Sequence, residues 1–306
     1  MKTFGWLLKR EFWEHRGGFF WVPLWTGVVV IVLALIALVR GAVKSAEFTA
    51  YLQHASAHDL QRMALTDGGT LLILAVLFHI VIAFVLFFYL LGALYDDRRD
   101  RSVLFWKSLP VADWQTVFSK AVMALVVVPL LVTAFTLATW LIVQVLISVA
   151  LAVLGHNPFT LIWGQSVFYR GIGLLLAAWP GTWLLVMLPT AGWLLLCSAW
   201  SSSKPFLWAL LIPIIPGAAL ASFNALGITD VSLHFVWREI IARMLLGTFG
   251  FPSDNGAGAF QQRAGSFTLT TGLHDLYLDP GLWIAAAAGV VLIALAVWAR
   301  RRGSDI

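Results

Sequence analysis

Six stretches of this chain, 19–39, 70–94, 121–154, 171–200, 206–226 and 282–299, are apolar throughout and contain no Asp, Glu, Lys or Arg. A helix rises about 1.5 Å per residue, so roughly 20 apolar residues cross the ~30 Å of hydrocarbon in a bilayer. The expectation is an all-α integral membrane protein with six transmembrane helices, a single transmembrane domain over 1–306. Composition excludes the soluble alternative. Charged residues make up 11% of the chain and apolar ones 60%, whereas a soluble domain is about a quarter charged. The 16 Trp and 21 Phe suit the membrane interfaces and the seams between helices.

The charges that remain set an orientation. Segments on the side of both termini (1–18, 95–120, 201–205, 300–306) hold 13 Lys or Arg in 56 residues. The opposite segments (40–69, 155–170, 227–281) hold 7 in 101. Basic residues concentrate on the cytoplasmic side of short loops, so both termini are expected in the cytoplasm. Cations massed beside membrane spans also remove the case for nucleic acid as a partner. The first run is 21 residues long and lacks a small-residue cleavage site after it, so it is expected to be retained as a span. Ahead of it, 1–18 is expected to form an interfacial helix in contact with lipid. Phe4, Leu7, Leu8 and Phe12 share one side and Lys9, Arg10, Glu14 and Arg16 mostly lie elsewhere. Glu11 and His15 fall near the apolar side and make the stripe imperfect.

Ion-coupled carriers usually place an ionisable group within the hydrocarbon, where it is costly and therefore informative. The runs here offer only His79, with Gln144 and Asn224 as isolated amides; each is read as an interhelical hydrogen-bonding group. Pro180, Pro189, Pro213 and Pro216 are expected to kink or break the fourth and fifth spans. The sequence has no His-Glu-x-x-His, Gly-x-Ser-x-Gly or Gly-x-x-x-x-Gly-Lys-Ser/Thr pattern, so no enzyme and no nucleotide-binding loop of those kinds is expected. Cys197, the single cysteine, is read as a small packed residue. His54 and His58 lie four apart beside Asp59, a spacing compatible with a metal ion, but a solvated loop is the preferred reading and no metal is expected.

The segment 95–120 carries nine charges in 26 residues. Yet Val103, Leu104, Phe105, Trp106 and Leu109 form an apolar cluster within it. Asp96 or Asp97 is expected to cap a short helix that Pro110 brings to an end, and Asp113 to cap the helix leading into the third span. The picture is a transverse helix with an aromatic knob and a charged rim, suited to dock in a groove of a cytoplasmic partner. An interfacial helix whose Phe105 and Trp106 dip into lipid is the competing reading.

This loop, the six spans with both ends inside and the N-terminal interfacial helix together resemble the permease subunits of type 2 ATP-binding-cassette exporters. The family pattern appears as the acidic and basic stretch 96–101, the short apolar helix 102–106, then Leu109, Pro110 and Val111, then Lys120. Where the family often has Gly-Thr-Leu-Glu, this chain has Arg101, Ser102, Val103 and Leu104. The resemblance implies a coupling helix contacting a separate ATPase subunit through Asp97, Arg98, Arg99, Arg101, Val103, Leu104, Phe105, Trp106, Lys107, Leu109 and Pro110. It implies a complex with two ATPase copies and a second permease chain, identical or not, in a bacterial inner membrane. ATP and magnesium would sit on the ATPase; this chain would bind no cofactor. The cargo expected between aromatic, uncharged spans is hydrophobic or amphipathic: a lipid, a peptide or a drug-like molecule. The rival expectations are an ion-coupled or passive transporter acting alone, and a membrane scaffold or sensor without transport.

The last outer segment, 227–281, is expected to begin with an amphipathic helix bearing Val231, Val236, Ile240, Ile241, Met244 and Leu245, with Arg238, Glu239 and Arg243 among them. Two readings stand, a gating helix and a packing cap over the bundle.

Overall fold

A computed structural model describes residues 2–42, 57–100, 112–164, 166–249 and 277–302. They form helices α1 (Lys2–Glu14), α2 (Val22–Ala42), α3 (Ala57–Gly92), α4 (Tyr95–Arg99), α5 (Asp113–Val122), α6 (Val128–Val153), α7 (Ser166–Trp200), α8 (Pro205–Ala225), α9 (Arg243–Leu246) and α10 (Pro280–Arg302). No strand occurs among the described residues. Six segments are long and apolar enough to cross a membrane: Gly17–Arg40, Ile73–Arg99, Asp113–Val153, Trp183–Trp200, Pro205–Ala225 and Pro280–Arg302. The chain is a helical, multi-pass membrane protein. Large apolar side chains such as Val29, Leu33 and Ile36 on α2, Ile215 on α8 and Ile284 and Val291 on α10 are exposed, an arrangement that lipid tails satisfy and water does not.

Two prolines explain how the first and third spans begin. Pro23 and Pro129 have no N–H, and their rings crowd the carbonyls four residues back. Each is preceded by one π-helical turn, Gly17–Trp21 and Met123–Val127. There the N–H of Val22 bonds to Gly17 O and that of Val128 to Met123 O, five residues back. The widened turn absorbs the proline and lets the helix run on. The third span is thereby continuous with α5, the helical segment running from Asp113 to Val153.

The prolines of the fourth and fifth spans do not break their helices. α7 continues past Pro180 and Pro189, and α8 past Pro213 and Pro216. Pro213 has no N–H for the carbonyl of Ala209, four residues earlier, and the buried indole of Trp193 on α7 donates to that carbonyl at 3.0 Å. A neighbouring helix thus restores the bond that the proline removes, as the hydrocarbon environment requires.

The described chain divides into two compact units, each with its own packing. One comprises Met1–His15, Ala83–Pro129 and Pro180–Ile306. In it α7 and α10 meet backbone to backbone: a Cβ added at Gly289 would stand 2.6 Å from Leu188 O and 2.7 Å from Pro189 N. Only glycine permits that approach. The segment Phe235–Phe249 forms a π-helical turn, α9 and a 3₁₀ turn. It lays Ile241 and Trp237 over Gly217 of α8 and buries Leu245 and Thr248. Thr190 of α7 fastens it, donating to Arg243 O and accepting from Gly247 N. The segment thus packs on α7 and α8, while Val231 and Ile240 of the expected apolar stripe remain exposed.

The other unit comprises Arg16–Ile82 and Leu130–Trp179. Its core gathers Leu71, Ala75, Trp140, Leu151, Ile162 and Leu175. Trp163 donates to Ser148 Oγ at 2.9 Å, and Ser148 in turn bonds to Gln144 O. His79 and Gln144 are buried here. Asn224, in the first unit, is not the interhelical group expected of it. Its side chain bonds Thr229 and Val231, so it closes the turn in which α8 ends.

Candidate functional site

The most unusual chemistry of the described chain is a set of mostly buried charges in the first unit, assembled from four helices, α1, α4, α5 and α10. It starts on α1. Leu7 and Glu11, one turn apart, form its packed face, with Phe4 and His15 beside them, so the residue that spoils the apolar stripe lies at the centre of that face. Glu11 is 1% exposed. An ionised carboxylate so placed needs a cation and hydrogen bonds, and it has both. Lys120 Nζ of α5 lies 3.0 Å from Glu11 Oε1, and the Tyr89 hydroxyl of α3 donates to Oε2 at 3.1 Å. The His15 ring meets the Tyr89 ring edge-on at 4.8 Å.

Lys120, itself 2% exposed, carries the network onward. Its ammonium is 3.6 Å from Asp97 Oδ2 on α4, and the same oxygen is 3.3 Å from Arg300 Nη1 in the last turn of α10. The Nε of that guanidinium lies 3.3 Å from Asp113 Oδ1 in the first turn of α5. One arginine at the end of the last span therefore holds a carboxylate on either side of the segment 98–112. Asp96, Asp97 and Asp113 stand in the first turns of their helices, where the macrodipole favours negative charge.

Asp113 does not cap α5, and the helix expected to end at Pro110 lies outside the described residues. Neither α4 nor α5 has a side-chain N-cap. Ser198 Oγ of α7 accepts instead from the N–H groups of Leu94 and Tyr95, both at 2.9 Å. Asp97 and Asp113 lie inside the first turns of their helices, not at the N-cap positions, and pair with Lys120 and Arg300. Arg98, expected on a rim open to a partner, is half-buried. Its Nη2 donates to Ser198 O at 2.6 Å and Ser201 O at 2.8 Å, covering carbonyls at the C-terminal end of α7.

Of the residues expected to contact an ATPase, the structure brings Asp97 into the ion network, seats Arg98 on α7 and leaves Arg99 exposed. Arg101, Val103, Leu104, Phe105, Trp106, Lys107, Leu109 and Pro110 lie outside the described residues, as does His54. Cys197 is buried. The cluster was partly visible in advance: a carboxylate on the packed side of a helix requires a cation. Lys120 and Arg300 were legible only as a motif lysine and a topology anchor.

Chemically, Glu11, Asp97, Asp113, Lys120 and Arg300 satisfy one another, so the arrangement offers rigidity and not reactivity. Glu11, Asp97, Lys120 and Arg300 are buried and Asp113 is half-buried, so displacing one of the buried members leaves another unpaired in a poorly solvated place. Comparison with known proteins returned no matching family model, curated protein or solved structure.

Proposed function

We propose that the protein is the membrane permease subunit of an ATP-driven exporter of the type 2 ATP-binding-cassette kind. It works with a separate ATPase, present in two copies, and with a second permease chain in a bacterial inner membrane. Both termini and the segment 98–112 face the cytoplasm, following the asymmetry of Lys and Arg. ATP and magnesium bind the ATPase. The cargo is hydrophobic or amphipathic, in keeping with spans that carry aromatic walls and no Asp, Glu, Lys or Arg in their apolar runs.

The observation that carries this reading is the anchoring of 98–112. A partner that grips Phe105 and Trp106 pulls on a segment bounded by Asp97 and Asp113. Arg300 links both to the last span, and Lys120 links Asp97 to α1. α5, which starts at Asp113, runs on as helix toward the third span, a continuation through which such a load would act. A loop that served only to join two spans would need no buried charge at its feet.

The test is a pull-down of the ATPase subunit. Replacing Phe105 and Trp106 by Ala removes two aromatic anchors of the kind that cost more than about 2 kcal/mol each at a hot spot. The variant should insert normally and lose the ATPase. Retention of the ATPase at wild-type levels, or cargo movement by the chain alone in vesicles without nucleotide, overturns the reading.

A further inference from the structure

The face of α1 opposite Leu7 and Glu11 carries different chemistry. Trp6 is 66% exposed and Trp13, seven residues on and so on the same side, is 56% exposed. Lys9 lies between them, exposed, with its ammonium 5.1 Å from the centre of the Trp6 ring. The last turn of α10 repeats the pairing: Arg302 sits 4.1 Å over the exposed ring of Trp298. Trp298 and Arg302 flank Arg300 by two positions on either side, so both aromatic and cation pairs belong to elements that also feed the ion network.

We propose that this outward face of α1, with Trp298 and Arg302, seats on the anionic phospholipid headgroups of the leaflet in which it lies. The occupant follows from chemistry. An indole ring prefers the boundary between headgroup and hydrocarbon, where its body is shielded and its N–H stays solvated. A cation held against that ring stands at the level of the lipid phosphates. Glu14, the acidic residue at the end of α1, is paired with Arg10 at 3.3 Å, which leaves Lys9 to set the sign of the face. A neutral leaflet satisfies the indoles alone; an anionic one satisfies the ammonium and guanidinium as well. The inference rests on reading α1 as an interfacial helix and adds the lipid class it selects. Because Glu11 projects from the other side of the same helix into the network, lipid and network hold α1 from opposite faces.

The experiment uses the full chain alone, without ATPase or nucleotide. A nitroxide is placed on Trp13→Cys in a Cys197→Ala background and reconstituted into nanodiscs of phosphatidylcholine with and without phosphatidylglycerol. Collision with a headgroup-chelated nickel lipid should exceed collision with a water-soluble nickel complex, and the difference should grow in the anionic discs. In parallel, native mass spectrometry counts phosphatidylglycerol retained by the detergent-extracted chain. Lys9→Gln and Arg302→Gln should each weaken retention about fivefold, the value for one basic residue near an anionic surface. Both residues are exposed, and unchanged melting in neutral lipid verifies that the variants are folded. Equal retention by all forms overturns the proposal. A label that stays in bulk water in both kinds of disc also overturns it. The ATPase pull-down depends on Phe105 and Trp106, so either reading can fail while the other stands.

Discussion

Glu11 shows how a single residue can be misread from sequence and still be informative. On a helical wheel it is a flaw in an apolar stripe, and an exposed Glu and a buried one look the same. What distinguishes them is Lys120, more than a hundred positions away, and no local pattern reports that distance. The pairing makes a definite prediction. Lys120→Met leaves Glu11 and Asp97 facing each other with one cation fewer, and breaking a buried pair from one side typically costs about 3–5 kcal/mol. Glu11→Gln alone should be milder, because Gln keeps the shape and accepts from Tyr89. Adding Glu11→Gln to Lys120→Met should recover part of the loss. Thermal melting of the four forms in one detergent gives the cycle. Added salt should leave the coupling nearly unchanged, since pairs this buried are poorly screened. Additive losses would show that Glu11 and Lys120 do not interact in the folded protein.

Elements were more legible than their joints. The six apolar runs and the helical extension below the third span follow from length and from the lack of charge. The joints depend on where a proline's missing bond is made good, which composition does not reveal. Pro23 and Pro129 are absorbed by π turns that no periodicity marks, and Pro213 is tolerated because Trp193 reaches across from another helix. Trp193 is the case to test. Trp193→Phe preserves most of the packing but strips Ala209 O of its donor, and a buried acceptor left unsatisfied costs about 1–3 kcal/mol. Pro213→Ala on that background restores an N–H to the carbonyl's own helix, so the double variant should melt higher than Trp193→Phe. Should Pro213→Ala fail to rescue, the loss belongs to indole packing and the hydrogen bond contributes little.

At the scale of the molecule, topology and coupling are the properties that sequence suggested and that solution experiments decide. With Cys197 buried, single cysteines at exposed Arg301 and Asp230 report the side on which each lies. A membrane-impermeant maleimide applied to spheroplasts should label Asp230→Cys, and label Arg301→Cys only after lysis; the opposite pattern inverts the orientation and overturns the cytoplasmic placement proposed for 98–112. Coupling is tested at Arg300, where both feet of 98–112 meet the last span. Arg300→Gln keeps a donor but gives up the charge and the forked geometry that engage Asp97 and Asp113 together. Phe105 and Trp106 are untouched, so the ATPase should still be pulled down. Force arriving at the loop would then reach the last span through a joint that has lost two charge-assisted hydrogen bonds, each worth about 1.5–3 kcal/mol. ATP-dependent cargo movement should fall about tenfold or more while ATP hydrolysis continues. If binding, hydrolysis and transport all persist at wild-type rates, the buried network is a structural brace and the load enters the membrane by another route.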